Sequence, residues 1–158
     1  MAVDEAFTAN GRLSARSSSE AAAANFRWEH RPRRDALVLA TPMGQTLAQL
    51  TGDDTKVLLE TGDGKRVEAR DWERLTAQVL GAPIPVLGLA WWIRAVPHPD
   101  SAHAIERDAQ SRTLVLRQDG WEIVYGYAEA SRPRTLRMSY PDVEIRIVID
   151  DWTALPTP

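Results

Sequence analysis

The chain has 158 residues, of which 44% are hydrophobic and 26% are charged, a composition typical of a folded globular domain rather than a disordered chain. Its net charge of −3 does not favour nucleic acid as a partner. The absence of cysteine excludes disulfides, thiolate metal sites and a thiol nucleophile.

Alternation of apolar and polar residues predicts β-strands along most of the chain, each with one buried and one wet face. The pattern is found in FTANGRLSAR, EAAAANFRWEH, RTLVLRQ, WEIVYGY, RTLRMSY and VEIRIVID. Short turn signals separate the segments, so neighbouring strands should be antiparallel. The length suits one domain over residues 1–158, and no stretch is long and apolar enough to span a membrane.

Successive hairpin turns of such a meander alternate between the two ends of the sheet. RSSSE, TPMGQ and TGDGK are therefore expected at one end, and RPRRD and TGDD at the other. The basic run His30 to Arg34 is interpreted as a solvated turn, with contact to an anionic head group as the alternative. Met43 should then lie far from this basic turn.

The turn at residues 41–44 is unusual in what it exposes. Pro42 presets φ for the second turn position, and Gly44 tolerates the left-handed conformation that closes many hairpins. Met43 stands between them, where a side chain points into solvent. A stray exposed methionine is common on protein surfaces, so the turn alone does not assign it a role.

Two helices are predicted in the middle of the chain. The first spans residues 71–81, with Asp71 as N-cap and Gly81 as C-terminal stop. The second covers residues 87–96 and ends before two prolines. The fold class is therefore α+β and mainly β, an open or half-closed antiparallel barrel in which short helices cover a hydrophobic cavity. A fully packed core without a cavity is the alternative.

The strand pattern also predicts which side chains face the interior. Ala48 and Leu50, rather than Leu47, are expected to point inward. The residues expected to line the hydrophobic cavity are Phe26, Trp28, Leu37, Leu39, Leu50, Leu59, Trp92, Ile123, Tyr125, Leu136, Met138, Ile145 and Ile147.

No set of residues predicts catalysis. His98, Asp100 and His103 could be imagined as a metal site, but a solvated Pro-rich loop is the preferred interpretation. Asp150 and Asp151 are neighbours on a strand and are expected to point to opposite faces. No nucleophile has a matched base. We therefore expect no catalytic residue, no metal, no cofactor and no enzyme activity.

Several blocks of the sequence occur in an order typical of one family. They are GRLSAR, ANFRWE, TPMGQTLAQL, DGKRVEA, LGAPIPVLGLAWWIRAVP, DGWEIVYGYA and IRIVIDDW. In this order the chain resembles the LolB family of outer-membrane lipoprotein receptors, from about residue 7 to residue 152. The resemblance implies an open barrel of eleven antiparallel strands, covered by helices around a hydrophobic cavity.

The resemblance also implies function and partners. Such a protein takes acylated lipoproteins from the periplasmic carrier LolA and inserts them into the inner leaflet of the outer membrane, as a monomer. The family's protruding loop matches Pro42, Met43 and Gly44, which implies a membrane-inserting tip at Met43. The family's helix, strand and C-terminal tryptophans match Trp92, Trp121 and Trp152.

The chain departs from the family pattern at three points. Met43 replaces the usual Leu, and Ala95 stands where Gly is usual, with little effect expected on function. The lipid-bearing N-terminal Cys is missing, and AVDEAF would be only the last turn of the usual first helix. The native form is expected to be anchored at the periplasmic face of the outer membrane, whereas this chain would be soluble.

Two other functions remain open from the sequence. The first is a soluble LolA-like carrier, or a periplasmic binder of another amphiphile. The second is a hydrolase acting on a lipid ester, which lacks an identifiable nucleophile and base. The apolar turn tip favours the receptor, because a pure carrier should not dwell at a membrane.

Overall fold

A computed structural model describes residues 6–128 and 132–156. Eleven strands form one antiparallel sheet, and two short helices stand between the sixth and seventh strands in sequence. In chain order the elements are β1 (Phe7–Ser17), β2 (Ala21–Arg31), β3 (Arg34–Ala40), β4 (Thr46–Gly52), β5 (Val57–Thr61), β6 (Arg66–Ala69), α1 (Trp72–Leu80), α2 (Val86–Trp92), β7 (His103–Arg107), β8 (Thr113–Gln118), β9 (Trp121–Gly126), β10 (Thr135–Tyr140) and β11 (Val143–Ala154).

The sheet is two meanders joined through the first and last strands. Its order is β6-β5-β4-β3-β2-β1-β11-β10-β9-β8-β7. Strands β6 and β7 form the two edges and are not paired with each other in the described part of the chain. The prediction of an open antiparallel sheet of about eleven strands with two helices is confirmed.

The distribution of turns between the two ends follows the prediction. Antiparallel pairing of β1 through β6 places the β1–β2, β3–β4 and β5–β6 turns at one end, and the β2–β3 and β4–β5 turns at the other. Arg33 precedes β3 and Met43 follows it, so seven strand residues separate them, about 20 Å of extended chain. The basic turn and the apolar tip therefore lie at opposite ends.

The inner face of the sheet carries the predicted apolar residues. Phe26 is opposite Leu39, and Leu37 lies between Trp28 and Leu50. Every residue predicted to face the interior is buried within one cluster, as is Ala48, whereas Leu47 is only partly buried. The strand register was therefore predicted correctly.

Helix α1 has the predicted capping. Oδ1 of Asp71 accepts a hydrogen bond from the backbone N–H of Arg74 at 2.8 Å, and Gly81 ends the helix with φ of 76°. Helix α2 is shorter than predicted, since it ends at Trp92 and not at residue 96. The reason is Ala95, whose φ of 63° lies in the left-handed region and interrupts the helix.

A β-bulge corrects the prediction for Asp150 and Asp151. Asn10 pairs with Asp151 and Gly11 with Ile149, so Asp150 is an extra residue in β11. Both carboxyl side chains are exposed, because strict alternation does not hold at a bulge. A Cβ at Gly11 would lie 1.9 Å from the carbonyl oxygen of Val148, so this bulge requires glycine.

Two histidines are less exposed than predicted. His30, the residue before the last in β2, is buried, whereas Arg31 at the end of the strand and Arg33 in the turn that follows are exposed. His98 is half-buried in the connection to β7. The expected last helical turn at AVDEAF falls mostly on residues 1–5, which lie outside the described residues. No helix in the described ranges has the length and apolar character needed to cross a membrane.

Candidate functional site

The loop between β3 and β4 is closed at its base by hydrogen bonds around Thr41. The N–H of Thr41 donates to the carbonyl oxygen of Gln45 at 2.8 Å, and the N–H of Gly44 donates to the carbonyl oxygen of Thr41 at 2.8 Å. The Thr41 hydroxyl accepts from the N–H of Gln45 at 3.1 Å. These bonds fix the loop without using any side chain at its tip.

The tip of the loop is highly exposed. The side chain of Met43 is 94% exposed, the highest exposure among the large exposed hydrophobic residues of the described chain. Gly44 has φ of 91°, and a Cβ built there would have no neighbour within 4 Å. A rigid base therefore presents one flexible apolar side chain to the surroundings.

A small apolar void lies in the interior. This apolar void has a volume of about 20 Å³, roughly enough for one water molecule and far too small for an acyl chain. It lies between the central strands and the helices. The residues around it are Leu13, Phe26, Trp28, Leu37, Leu80, Ile84, Val86, Leu89, Ile93, Ile145 and Ile147.

A much larger groove, of about 1500 Å³, runs along the outer side of α2. One stretch of chain, residues 83–89, separates this groove from the void, and we name it the wall segment. Pro83, Pro85 and Leu87 line the groove, while Val86 and Leu89 line the void. Residues of this one stretch thus line both the groove and the void.

The groove side of α2 is apolar. Leu87 is 42% exposed and Trp91 is 36% exposed, and both line the groove. They are four residues apart and therefore share a helical face. The guanidinium of Arg94 lies 4.8 Å from the centroid of the Trp91 ring and 5.8 Å from that of Phe7.

Gln118 is a buried polar residue that fixes the C-terminal end of α2. Its Oε1 accepts from the indole N–H of Trp92 at 2.8 Å and from the backbone N–H of His98 at 3.0 Å. Its Nε2 donates to the carbonyl oxygens of His98 and Ser101. The amide therefore uses its full hydrogen-bonding capacity.

Two further hydrogen bonds hold the same end of the helix. The hydroxyl of Tyr125 donates to the carbonyl oxygen of Trp92 at 2.5 Å, and the hydroxyl of Thr113 donates to the carbonyl oxygen of Ala95 at 2.9 Å. Burial raises the pKa of the Tyr125 phenol well above its ordinary value, with a smaller effect from Tyr127. Tyr125 is thus held as a neutral donor.

His98, Ser101 and Asp119 form a clamp in the adjacent loop. His98 Nε2 lies 2.5 Å from Oδ2 of Asp119, and the Ser101 hydroxyl donates to Oδ1 of Asp119 at 2.6 Å. The Ser101 bond, with a smaller contribution from His98, lowers the pKa of the Asp119 carboxyl. Because the carboxylate accepts from both groups, the histidine does not activate the serine.

A second polar cluster is buried at the other end of the sheet. Oδ1 of Asp35 accepts from the indole N–H of Trp28 at 2.7 Å and lies 2.7 Å from Nδ1 of His30. The His30 ring packs 5.1 Å from the ring of Phe7. The burial of Gln118, His30 and Asp35 was not predicted from the sequence, because polar residues in a strand are expected on its solvent-exposed face.

A family model described as outer membrane lipoprotein LolB matches residues 5–152. The chain belongs to the LolB family. It is 36% identical over 155 residues to an outer-membrane lipoprotein LolB of Nitrosomonas europaea, covering 94% of this chain and 73% of the relative. Proteins of the same name from Chromobacterium violaceum (35% over 154 residues) and Thiobacillus denitrificans (37% over 153 residues) each cover 96% of this chain and 82% of their own length.

The family resemblance inferred from the order of the motifs is thereby confirmed. The three tryptophans matched to the LolB pattern lie in different surroundings. Trp92 and Trp121 are buried, whereas Trp152 is partly buried and stacks on Phe7 at 4.2 Å between ring centroids. Ala95 has the left-handed φ that glycine adopts most easily.

Proposed function

We propose that this protein receives acylated lipoproteins from a LolA-type carrier and inserts them into the inner leaflet of the outer membrane. The main support for the proposal is the exposed apolar side chain of Met43 at the tip of its loop, in a protein whose relatives are named outer-membrane lipoproteins. The buried residues on the inner face of the sheet would contact the acyl chains once the helices move. The native form would act as a lipid-anchored monomer at the periplasmic face of that membrane, without catalysis or cofactor.

The energetics of acyl chains explain why such a receptor needs an apolar interior. Each buried CH₂ contributes about 0.8 kcal/mol. Exposing one chain of about sixteen carbons to water would therefore cost on the order of 12 kcal/mol. Transfer of the acyl chains without exposing them to water requires an apolar interior in the receptor as well as in the carrier.

The tip supplies a transient membrane contact. A methionine side chain buried in lipid contributes roughly 1.5–3 kcal/mol. That is enough for brief docking and too little for permanent attachment. A glutamate at the same position would oppose entry, because its charge would have to be desolvated.

A transfer assay tests the proposal directly. Purified LolA-type carrier loaded with lipoprotein is mixed with the parent protein or a variant, and insertion into liposomes is measured separately from uptake. Met43→Glu should take up cargo normally and fail to insert it, while Met43→Leu should behave like the parent. Stability should change by no more than about 0.5 kcal/mol in both variants.

Leu114→Glu provides the matched control. Leu114 is an exposed leucine on β8, away from the tip, so the same added charge there should leave insertion unchanged. Normal insertion by Met43→Glu would remove the tip from the mechanism and favour a soluble LolA-like carrier. Failure of the parent to take up lipoprotein at all would overturn the receptor function.

A further inference from the structure

The small interior void means that some part of the covering layer must move before an acyl chain can enter. Residues of the wall segment line both spaces. Pro83, Pro85, Leu87 and Gly88 line the groove, and Ile84, Val86 and Leu89 line the void. Pro83 and Pro85 have no backbone N–H to donate. The segment is therefore poorly supplied with the bonds that would fix it.

Within the described residues, one hydrogen bond joins the wall segment to another element. The N–H of Ile84 donates to the Thr76 hydroxyl at 2.8 Å, while the N–H groups of Val86 and Leu89 bond within the segment. Thr76 is fully buried on α1, and its hydroxyl donates in turn to the carbonyl oxygen of Trp72 at 2.9 Å. The other hydrogen bonds of the segment in the described residues lie within the segment or within α2, as from the N–H of Ile93 to the carbonyl oxygen of Leu89.

The opposite end of α2 is fixed much more firmly. The side chains of Gln118, Tyr125 and Thr113 all bond to the chain between Trp92 and His98. A helix held strongly at one end and weakly at the other opens at the weak end. The strong end then acts as the fixed point of the motion.

We propose that the wall segment is the gate between the groove and the interior, and that it swings about the C-terminal end of α2 when the Thr76–Ile84 bond breaks. This inference rests on the proposed function for the identity of the molecule that passes. The exposed Leu87 and Trp91 on the groove side of α2 provide an apolar surface on which an acyl chain lies before it enters.

Amide hydrogen exchange of the ligand-free protein, resolved by NMR, tests the gate itself. The amides of Ile84 and Leu89 are hydrogen-bonded, as are those of Ile93 and Ala95. Ile84 and Leu89 should exchange through a local opening and therefore faster than Ile93 and Ala95. Equal protection of the two pairs would overturn the gate.

Two matched Thr→Val variants sharpen the test. Thr76→Val removes the bond to Ile84 and should speed exchange at Leu89 by about tenfold, with Ile93 unchanged. Thr113→Val removes a bond at the fixed end and should speed exchange at Ala95, with Leu89 unchanged. Thr76→Ser keeps the hydroxyl and should match the parent, which separates loss of the bond from disruption of the core.

Uptake of a fluorescent triacylated lipopeptide connects the gate to cargo. Thr76→Val should take up this probe several-fold faster than the parent, and Thr113→Val at the parental rate. Equal acceleration by both variants would overturn the proposed gate. If the parent binds no lipopeptide while the exchange pattern is as expected, the gate stands as a property of the free protein and the proposed receptor function fails.

Discussion

Gly88 and Trp92 lie one turn apart on α2, and the indole ring of Trp92 covers the place where a side chain at position 88 would begin. A Cβ built on Gly88 would lie 2.9 Å from Cη2 of that ring. The ring cannot shift freely, because its N–H is bonded to Gln118. The Trp92 ring thus requires glycine at position 88, where the wall segment packs against it.

Replacing Gly88 by Ala should therefore destabilise the protein despite the better helix propensity of alanine. Overpacking costs about 1–3 kcal/mol, whereas the helix gains about 1 kcal/mol. We expect a net loss of about 1 kcal/mol in thermal unfolding and a shift of the Trp92 indole N–H resonance. Leu87→Ala, on the exposed side of α2, should move neither quantity. An increase in stability with the resonance unmoved would contradict the packing.

Replacing Ala95 by Gly should stabilise the protein. Its left-handed φ costs a non-glycine residue roughly 1–2 kcal/mol, while glycine adds about 0.4–1 kcal/mol of conformational entropy to the unfolded chain. The expected gain in free energy of unfolding is about 0.5–1 kcal/mol, measured by denaturant titration. Ala104→Gly, in strand β7, should instead lose about 0.5–1 kcal/mol. The same sign of change in both variants would refute the assignment of strain to Ala95.

Two leucines of α2 should respond very differently to truncation. Leu89 is buried against the void, whereas Leu87 is exposed to the groove. Leu89→Ala should lower the free energy of unfolding by about 2–5 kcal/mol, since it enlarges a cavity. Leu87→Ala should change it by about 0.5 kcal/mol or less. Comparable losses would mean that α2 lies on the sheet in another orientation.

Stability should fall in alkaline solution partly because of Tyr125. Burial raises the pKa of its phenol in the folded state, so its contribution is complete below the unfolded pKa of about 10 and is lost as the pH rises above that value. Between about pH 10 and 11.5 the parent should lose up to about 1.4 kcal/mol per pH unit more than Tyr125→Phe. Identical slopes for the two proteins would show that Tyr125 does not titrate on unfolding.

The sequence predicts the sheet well because its signals are local. Period-two alternation identifies the inner face, and short turns determine antiparallel neighbours, so the burial of Phe26, Trp28 and Leu39 follows from the pattern alone. The capping of α1 is equally local, since Asp71 and Gly81 act on their own helix ends.

What could not be predicted depends on contacts between distant parts of the chain. Gln118 forms a hydrogen bond with Trp92, 26 residues earlier. No sequence pattern near either residue predicts that the two are in contact. The bulge at Asp150 is set by the close approach of Gly11 from the other end of the chain. The turn pattern singled out Met43 and the family resemblance implied its role, but identifying the wall segment requires knowing which side of residues 83–89 faces the void.

The open sheet leaves two strand edges that could recruit other chains, and both are poorly suited to doing so. β6 has four residues and β7 has five, and each presents charged side chains, with Arg66 and Glu68 on β6 and Glu106 and Arg107 on β7. Short, charged edges resist the addition of a further strand. Copies concentrated on one membrane surface would therefore not grow into fibres by pairing their edge strands.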